Sequence, residues 1–150
     1  MQKIPSVWIN KMMNPKLRHK ARELALQAVY QWQFNADTES GLIAQFSDFA
    51  KSTKYDEAFF MELLQGILKN CKELDAKMTP FLDRPLADLN PIELAVLRLA
   101  LYELMYNLET PYKVVINEAL ELAKTFGSQD GFKYVNGVLD KAAKEIRTNE

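Results

Sequence analysis

The sequence predicts an all-α fold: two small packed helical bundles, about six to seven helices in total, forming one compact domain. Three observations support this prediction. Glycine is scarce, at 5 of 150 residues. Apolar residues recur at spacings of three and four, and no stretch shows the strict alternation of a half-buried strand. A chain of this length buries roughly 70% of the surface that its unfolded form exposes, enough for one sizeable core.

The first helix is predicted over residues 16–32, because an apolar stripe runs along the whole segment. Pro15 suits its first turn. The stripe consists of Leu17, Ala21, Leu24, Ala25, Ala28, Val29 and Trp32. A second helix is predicted over residues 40–51, and a third, long one over residues 56–81.

The pattern breaks at residues 83–89, which contain Pro85. We therefore predict a seam there, between an N-terminal helical subdomain, residues 15–82, and a C-terminal one, residues 83–150. Residues 1–14 precede both as an extension, either a flexible basic arm or a stretch upstream of the true start.

After the seam, the helix over residues 92–108 has a strong start signal. Asn90 can cap it, Pro91 takes the first helical position, and Glu93 is placed to bond back to the cap. This helix is apolar almost all round, so its charged residues are expected at its edges or paired. Two more helices are predicted, over residues 112–126 and 130–147, separated by Gly127.

Composition excludes several classes of function. The single Cys71 rules out an internal disulfide framework, and with one histidine the usual catalytic metal sites are also excluded. Arg98 and Glu103 interrupt the longest apolar run, which stays short of the roughly 18 residues of a membrane span. No apolar core follows the basic N-terminal residues, so no secretory signal is predicted. We expect a cytoplasmic protein with no metal or cofactor.

The net charge of −1 hides a marked asymmetry. Residues 1–22 contain six basic and no acidic side chains, whereas the remainder carries 13 basic and 20 acidic ones, a balance of −7. Such asymmetry indicates a basic segment for phosphates or acidic surfaces. The cluster in the first helix comprises Arg18, His19, Lys20 and Arg22, with Tyr30 near the same side.

Basic groups that hold phosphates beside an aromatic face that stacks a base are typical of single-stranded RNA binding. A solvated helix end with a half-buried tyrosine explains the same spacing equally well. A second candidate surface runs from Phe126 through Asp130 to Lys133 and Tyr134, where a helix start meets a lysine and aromatics. Taken alone, its glycines favour a simple interhelical turn.

The residues also resemble a known family, the bacterial transcription antitermination factors of the NusB type. The resemblance covers roughly residues 15–147. It rests on these segments: Ala21-Arg22-Glu23, Gln27-Ala28, Tyr30, Trp32-Gln33, Ala95-Val96-Leu97-Arg98, Ala100-Leu101-Tyr102-Glu103-Leu104, Pro111-Tyr112-Lys113-Val114, Ile116-Asn117-Glu118-Ala119, Glu121-Leu122-Ala123-Lys124 and Val135-Asn136-Gly137-Val138-Leu139-Asp140-Lys141.

This resemblance implies a non-catalytic protein that binds the boxA element of nascent ribosomal RNA leader transcripts together with NusE, ribosomal protein S10. The complex helps RNA polymerase to resist termination and supports rRNA maturation. The family's arginine-rich motif corresponds to the basic cluster, with His19 and Lys20 where some relatives have arginine. Its second RNA-contacting region corresponds to Phe126, Asp130, Lys133 and Tyr134. Tyr30 and Glu93 correspond to positions that contact RNA or NusE.

Three alternatives remain. The first is the RNA-binding accessory domain of rRNA cytosine methyltransferases, which resembles this family; 150 residues leave no room for the methyltransferase domain, so we expect length to exclude it. The second is a helical adaptor that binds only protein. The third is a small enzyme, which would need a closed polar pocket that the sequence does not indicate.

Overall fold

The computed structural model describes residues 14–150, so residues 1–13 of the predicted extension lie outside it. Within that range the chain forms seven α-helices and no strand, which confirms the all-α prediction. The helices are α1 Pro15–Phe34, α2 Glu39–Phe49, α3 Glu57–Lys69, α4 Cys71–Met78, α5 Pro91–Tyr106, α6 Tyr112–Phe126 and α7 Gln129–Ile146. Two 3-10 turns, Thr79–Phe81 and Leu86–Asp88, lie between α4 and α5.

The prediction of one long helix over residues 56–81 was wrong. Asn70 separates α3 from α4 with φ −106° and ψ 17°, outside the helical region. Its side-chain amide donates to the backbone oxygen of Gly66 at 2.8 Å, where the backbone amide of Asn70 also bonds. A side chain that competes for local backbone groups in this way ends a helix despite a continuous apolar pattern.

Side-chain caps fix several helix starts. Thr38, Asp56 and Ser128 each accept a hydrogen bond from a backbone amide three residues on, at 3.0 to 3.1 Å. Asn90 caps α5 by accepting from the Ile92 amide at 2.8 Å. Glu93 does not complete the predicted capping box; its side chain lies against Gly131 in α7.

Helix α5 is the centre of the fold and packs against α1, α3, α4, α6 and α7. Its Leu97 and Leu101 are fully buried, in one core that is continuous between residues 15–82 and 83–150. The division into two subdomains stays a prediction. Tyr102 crosses α3 at Gly66, where an added Cβ would lie 2.2 Å from the ring, so the close approach requires glycine.

Two charged side chains of α5, Arg98 and Glu103, are paired. Arg98 donates to both carboxylate oxygens of Asp75, at 2.9 and 2.8 Å, and to the side-chain oxygen of Gln33 at 3.0 Å. Glu103, only 1% exposed, pairs with Arg22. These bonds satisfy charges whose burial without partners would destabilise the fold.

Candidate nucleic-acid interface

Arg22, in the predicted basic cluster of α1, belongs to the core. Its side chain is 3% exposed, and it donates two hydrogen bonds of 2.8 Å to the two carboxylate oxygens of Glu103. Asn107 donates to the same carboxylate at 2.8 Å and to Thr110 at 2.9 Å. The bonds to Glu103 raise the pKa of Arg22 despite its burial. This arginine therefore ties α1 to α5.

Arg18 is also buried, at 6% exposure. Its guanidinium carbon lies 3.7 Å from the centre of the Phe59 ring, and one nitrogen lies 3.5 Å from the Thr110 hydroxyl. Burial lowers the pKa of Arg18. An aromatic ring and a core carboxylate hold Arg18 and Arg22 inside the fold, so neither guanidinium lies at the surface.

His19 and Lys20 are the members of the cluster that remain at the surface. Their side chains are 36% and 39% exposed. His19 Nδ1 lies 2.6 Å from a carboxylate oxygen of Glu118 in α6, and Lys20 lies 3.9 Å from Glu23. These carboxylates offset part of the positive charge of the cluster. The cluster therefore presents less positive charge to a polyanion than its composition suggests.

Tyr30 and Phe126, from the two separate candidate surfaces, line the same open groove. The groove has a volume of about 540 Å³ and runs between α1, α2, the start of α5 and the end of α6. Phe34 and Ile92 also line it, and the Tyr30 and Phe34 rings meet edge to face with centres 5.1 Å apart. Exposed aromatic rings beside a groove can stack the bases of a single strand.

The first turns of α7 extend this surface. Asp130 and Lys133 are exposed, and Tyr134 is half-buried. Two cations from other elements lie over aromatic rings here, Lys124 at 4.7 Å from the centre of Phe132 and Arg84 at 4.5 Å from that of Tyr134. The structure therefore joins Tyr30, from the first candidate surface, to Phe126 and the start of α7, which form the second.

Four of these residues were missed by the sequence analysis, namely Phe34, Arg84, Ile92 and Lys124. Phe34 is four residues after Tyr30, so helical spacing could have found it. Lys124 and Arg84 have no such signal, because their partners lie on α7 and only the tertiary fold brings them together.

Glu93 lies between the groove and α7. An added Cβ at Gly131 would be 3.2 Å from the carboxyl carbon of Glu93, so glycine leaves the room that this side chain occupies. Burial raises the pKa of Glu93. A half-buried carboxylate at the edge of the groove could accept hydrogen bonds from a base or from a partner protein.

Comparison with known proteins decides the family. The NusB family model matches residues 19–144 of this chain. The chain belongs to the NusB family. This confirms the resemblance found in the sequence and the prediction that the protein is not an enzyme.

Curated relatives in the NusB family match nearly the whole chain. A protein from Idiomarina loihiensis is 50% identical over 135 residues, covering 90% of this chain and 97% of the relative. One from Xanthomonas axonopodis pv. citri is 51% identical over 138 residues, covering 92% and 87%. Both are named transcription antitermination protein NusB.

Solved NusB structures share the fold. T. maritima NusB aligns with a TM-score of 0.76 and 32% identity, over 85% of this chain and 91% of that one. A crystal structure of the antitermination factors NusB and NusE in complex with dsRNA aligns with a TM-score of 0.79 and 22% identity, over 87% and 98%. At that identity the second match establishes the fold alone.

Among residues 14–150, no helix combines the length and the apolar character that a membrane span requires. No cluster of three or more histidine, cysteine, aspartate or glutamate side chains there could hold a metal ion.

Proposed function

We propose that this member of the NusB family is an RNA-binding transcription antitermination factor. It binds boxA of nascent rRNA leader transcripts together with NusE, ribosomal protein S10. It acts in the cytoplasm as part of the RNA polymerase antitermination complex and supports rRNA synthesis and maturation. It uses no cofactor and no small-molecule substrate.

One observation carries this proposal: the groove that joins Tyr30 and Phe126. Single-stranded RNA is recognised through bases that stack on aromatic faces beside cations that hold phosphates. The groove supplies the aromatic faces, and Lys133 supplies an exposed cation on α7, the helix that follows Phe126 in the chain. The names of the curated relatives support the antitermination function, and the NusB–NusE–dsRNA structure of the same fold supports RNA binding together with NusE.

The proposed contacts divide by chemistry. His19, Lys20 and Lys133 contact phosphates, while Tyr30, Phe126 and Tyr134 contact bases. Asp130 accepts hydrogen bonds from base or ribose donors. Arg18 and Arg22 act by fixing the N-terminal turns of α1 against α3 and α5, which places His19 and Lys20. Tyr30 and Glu93, at the edge of the groove, are the proposed contacts shared with NusE.

A gel-shift assay tests the proposal, with boxA RNA and a scrambled RNA of equal length, each with and without NusE. We expect a clear preference for boxA and tighter binding when NusE is present, because two joined surfaces act on one ligand. With about three to five phosphate contacts, log K should fall with log salt at a slope of about −2 to −3.5. Equal binding to both RNAs would reduce the surface to a generic basic patch.

A further inference from the structure

Arg84 forms a flat, exposed platform beside the proposed RNA surface. It lies in the segment between α4 and α5, and its guanidinium carbon is 4.5 Å from the centre of the Tyr134 ring. Its side chain is 46% exposed. The guanidinium is planar, and a side chain exposed to this extent leaves part of that plane accessible to a ligand.

Asp83 holds this platform in place. Its carboxylate accepts from Arg84 Nε at 2.7 Å and from Nη2 at 3.2 Å, two bonds along one edge of the guanidinium. These bonds lower the pKa of Asp83. The guanidinium is therefore oriented in advance by a carboxylate on its edge and an aromatic ring beside it, which reduces the ordering cost when a ligand binds.

The charges around Arg84 favour a base over a phosphate. Asp83 offsets the positive charge, and the negative charge of Glu93 also acts on Arg84. A phosphate would be repelled by both carboxylates, whereas an uncharged base would not. Guanidinium planes stack on bases in single-stranded RNA recognition. Tyr134 continues the platform to α7, where Lys133 is exposed.

We propose that the exposed guanidinium of Arg84 stacks one base of the bound RNA, with Asp83 and Tyr134 as the residues that position it. This inference rests on the proposed function. It adds to the interface a residue from outside both candidate segments of the sequence, and it extends the RNA path from the groove across the start of α7 to the α4–α5 segment.

Substitutions distinguish stacking from phosphate binding. Arg84→Lys keeps the charge but loses the plane, so boxA binding should weaken about five- to tenfold with an unchanged salt slope. Asp83→Ala frees the plane and should weaken binding about two- to threefold. Lys144→Gln is the matched control: it removes a cation, 3.5 Å from Asp140, that lies at the other end of α7, and binding should not change.

A phosphate contact predicts different results, and these would overturn the proposal. Arg84→Lys would then bind like the original protein, Arg84→Gln would lower the salt slope by about 0.7, and Asp83→Ala would strengthen binding. Weaker binding of NusE to Arg84→Lys in the absence of RNA would assign Arg84 to the protein partner and would also overturn it.

An RNA series with one abasic nucleotide at each position locates the stacked base. At one position the missing base should weaken binding to the original protein about five- to tenfold and leave binding to Arg84→Lys unchanged. If no position is coupled to Arg84 in this way while the original protein still prefers boxA, only the stacking proposal fails. If the original protein shows no boxA preference, the proposed function itself fails.

Discussion

Basic side chains at the starts of α1 and α7 differ in burial. Around α1, Arg18 and Arg22 are 6% and 3% exposed and are held by Phe59 and Glu103. Around α7, Lys133 is exposed. The difference in burial depends on the partners within reach of each cation. Arg18 and Arg22 contact an aromatic ring and a carboxylate in the core, and these contacts stabilise their buried positions.

The two arginine–aromatic contacts show the same contrast. Arg18 lies 3.7 Å from the centre of Phe59 within the core, and Arg84 lies 4.5 Å from that of Tyr134 at the surface. In the Arg18 contact, the ring packs against a buried cation. In the second, it orients a cation that remains accessible. A run of basic residues in a sequence therefore predicts a polyanion-binding surface only through those members that are exposed in the fold.

The largest predicted effect is on the buried side of this comparison. Arg22→Met should lower the free energy of unfolding by about 3–5 kcal/mol, because Glu103 would remain buried without its cationic partner. Urea denaturation measures this change. The double variant Arg22→Met with Glu103→Leu should recover most of the loss, because no uncompensated charge is left.

Unchanged stability of Arg22→Met combined with weak RNA binding would contradict this assignment. Arg22 would then act as a free ligand of the RNA and not as a tie between α1 and α5.

The next effect concerns the groove. Tyr30→Ala should weaken boxA binding by about 1–3 kcal/mol, the range for loss of one base-stacking aromatic. The side chain is 38% exposed and packs edge to face on Phe34, so urea denaturation is needed to show that the variant is still folded. Phe49→Ala is the matched control: this aromatic is 72% exposed and does not line the groove. Equal effects of both substitutions on binding, measured by fluorescence anisotropy, would exclude the groove as the base site.

A smaller effect is expected at the exposed cation of α7. Lys133→Gln should reduce the magnitude of the salt slope of boxA binding by about 0.7, the contribution of one phosphate contact on a single strand. Lys141→Gln, also exposed on α7 and outside the candidate surface, should leave the slope unchanged. A full salt titration of each variant makes the comparison. Identical slopes for all three proteins would mean that Lys133 contacts no phosphate.

The helices were largely predictable, because periodic apolar spacing is a local property of the sequence. Residues 112–126 match α6 at both ends. The break at Asn70 was not predicted, since it depends on one side chain bonding to Gly66 while the apolar pattern continues through it.

The site was predictable only in part, because burial is decided by tertiary contacts. Tyr30 and Phe126 were found as candidates, but their shared groove follows from the packing of α1 beside α5 and α6. The burial of Arg22 depends on Glu103, 81 positions away in the chain. No local pattern could show that this arginine faces the core whereas Lys20, two residues earlier, remains near the surface.

The smallest predicted effect concerns Glu93, a carboxylate of α5 that, unlike Glu103, lies at the groove edge. Burial raises the pKa of Glu93 above its ordinary value of 4.5. Glu93 therefore holds its proton more tightly in the folded state than in the unfolded state. The stability that this provides is fully present below the ordinary pKa and is lost as pH rises through the raised pKa. Glu93→Gln removes this loss, so it should raise the free energy of unfolding at pH 7 by less than about 1 kcal/mol and leave it unchanged near pH 3.

Urea denaturation at both pH values measures this difference, with the exposed Glu145→Gln as control. The same variant tests which ligand Glu93 serves. If the carboxylate accepts a hydrogen bond from NusE, Glu93→Gln should weaken NusE binding while stabilising the fold. If it only places negative charge beside the RNA path, the variant should bind boxA more tightly. A Glu93→Gln variant that is less stable than the original protein at pH 7 would show that Arg84 compensates the charge of Glu93. Glu93 would then resemble Glu103, whose charge Arg22 compensates, and the contrast between the two carboxylates would not hold.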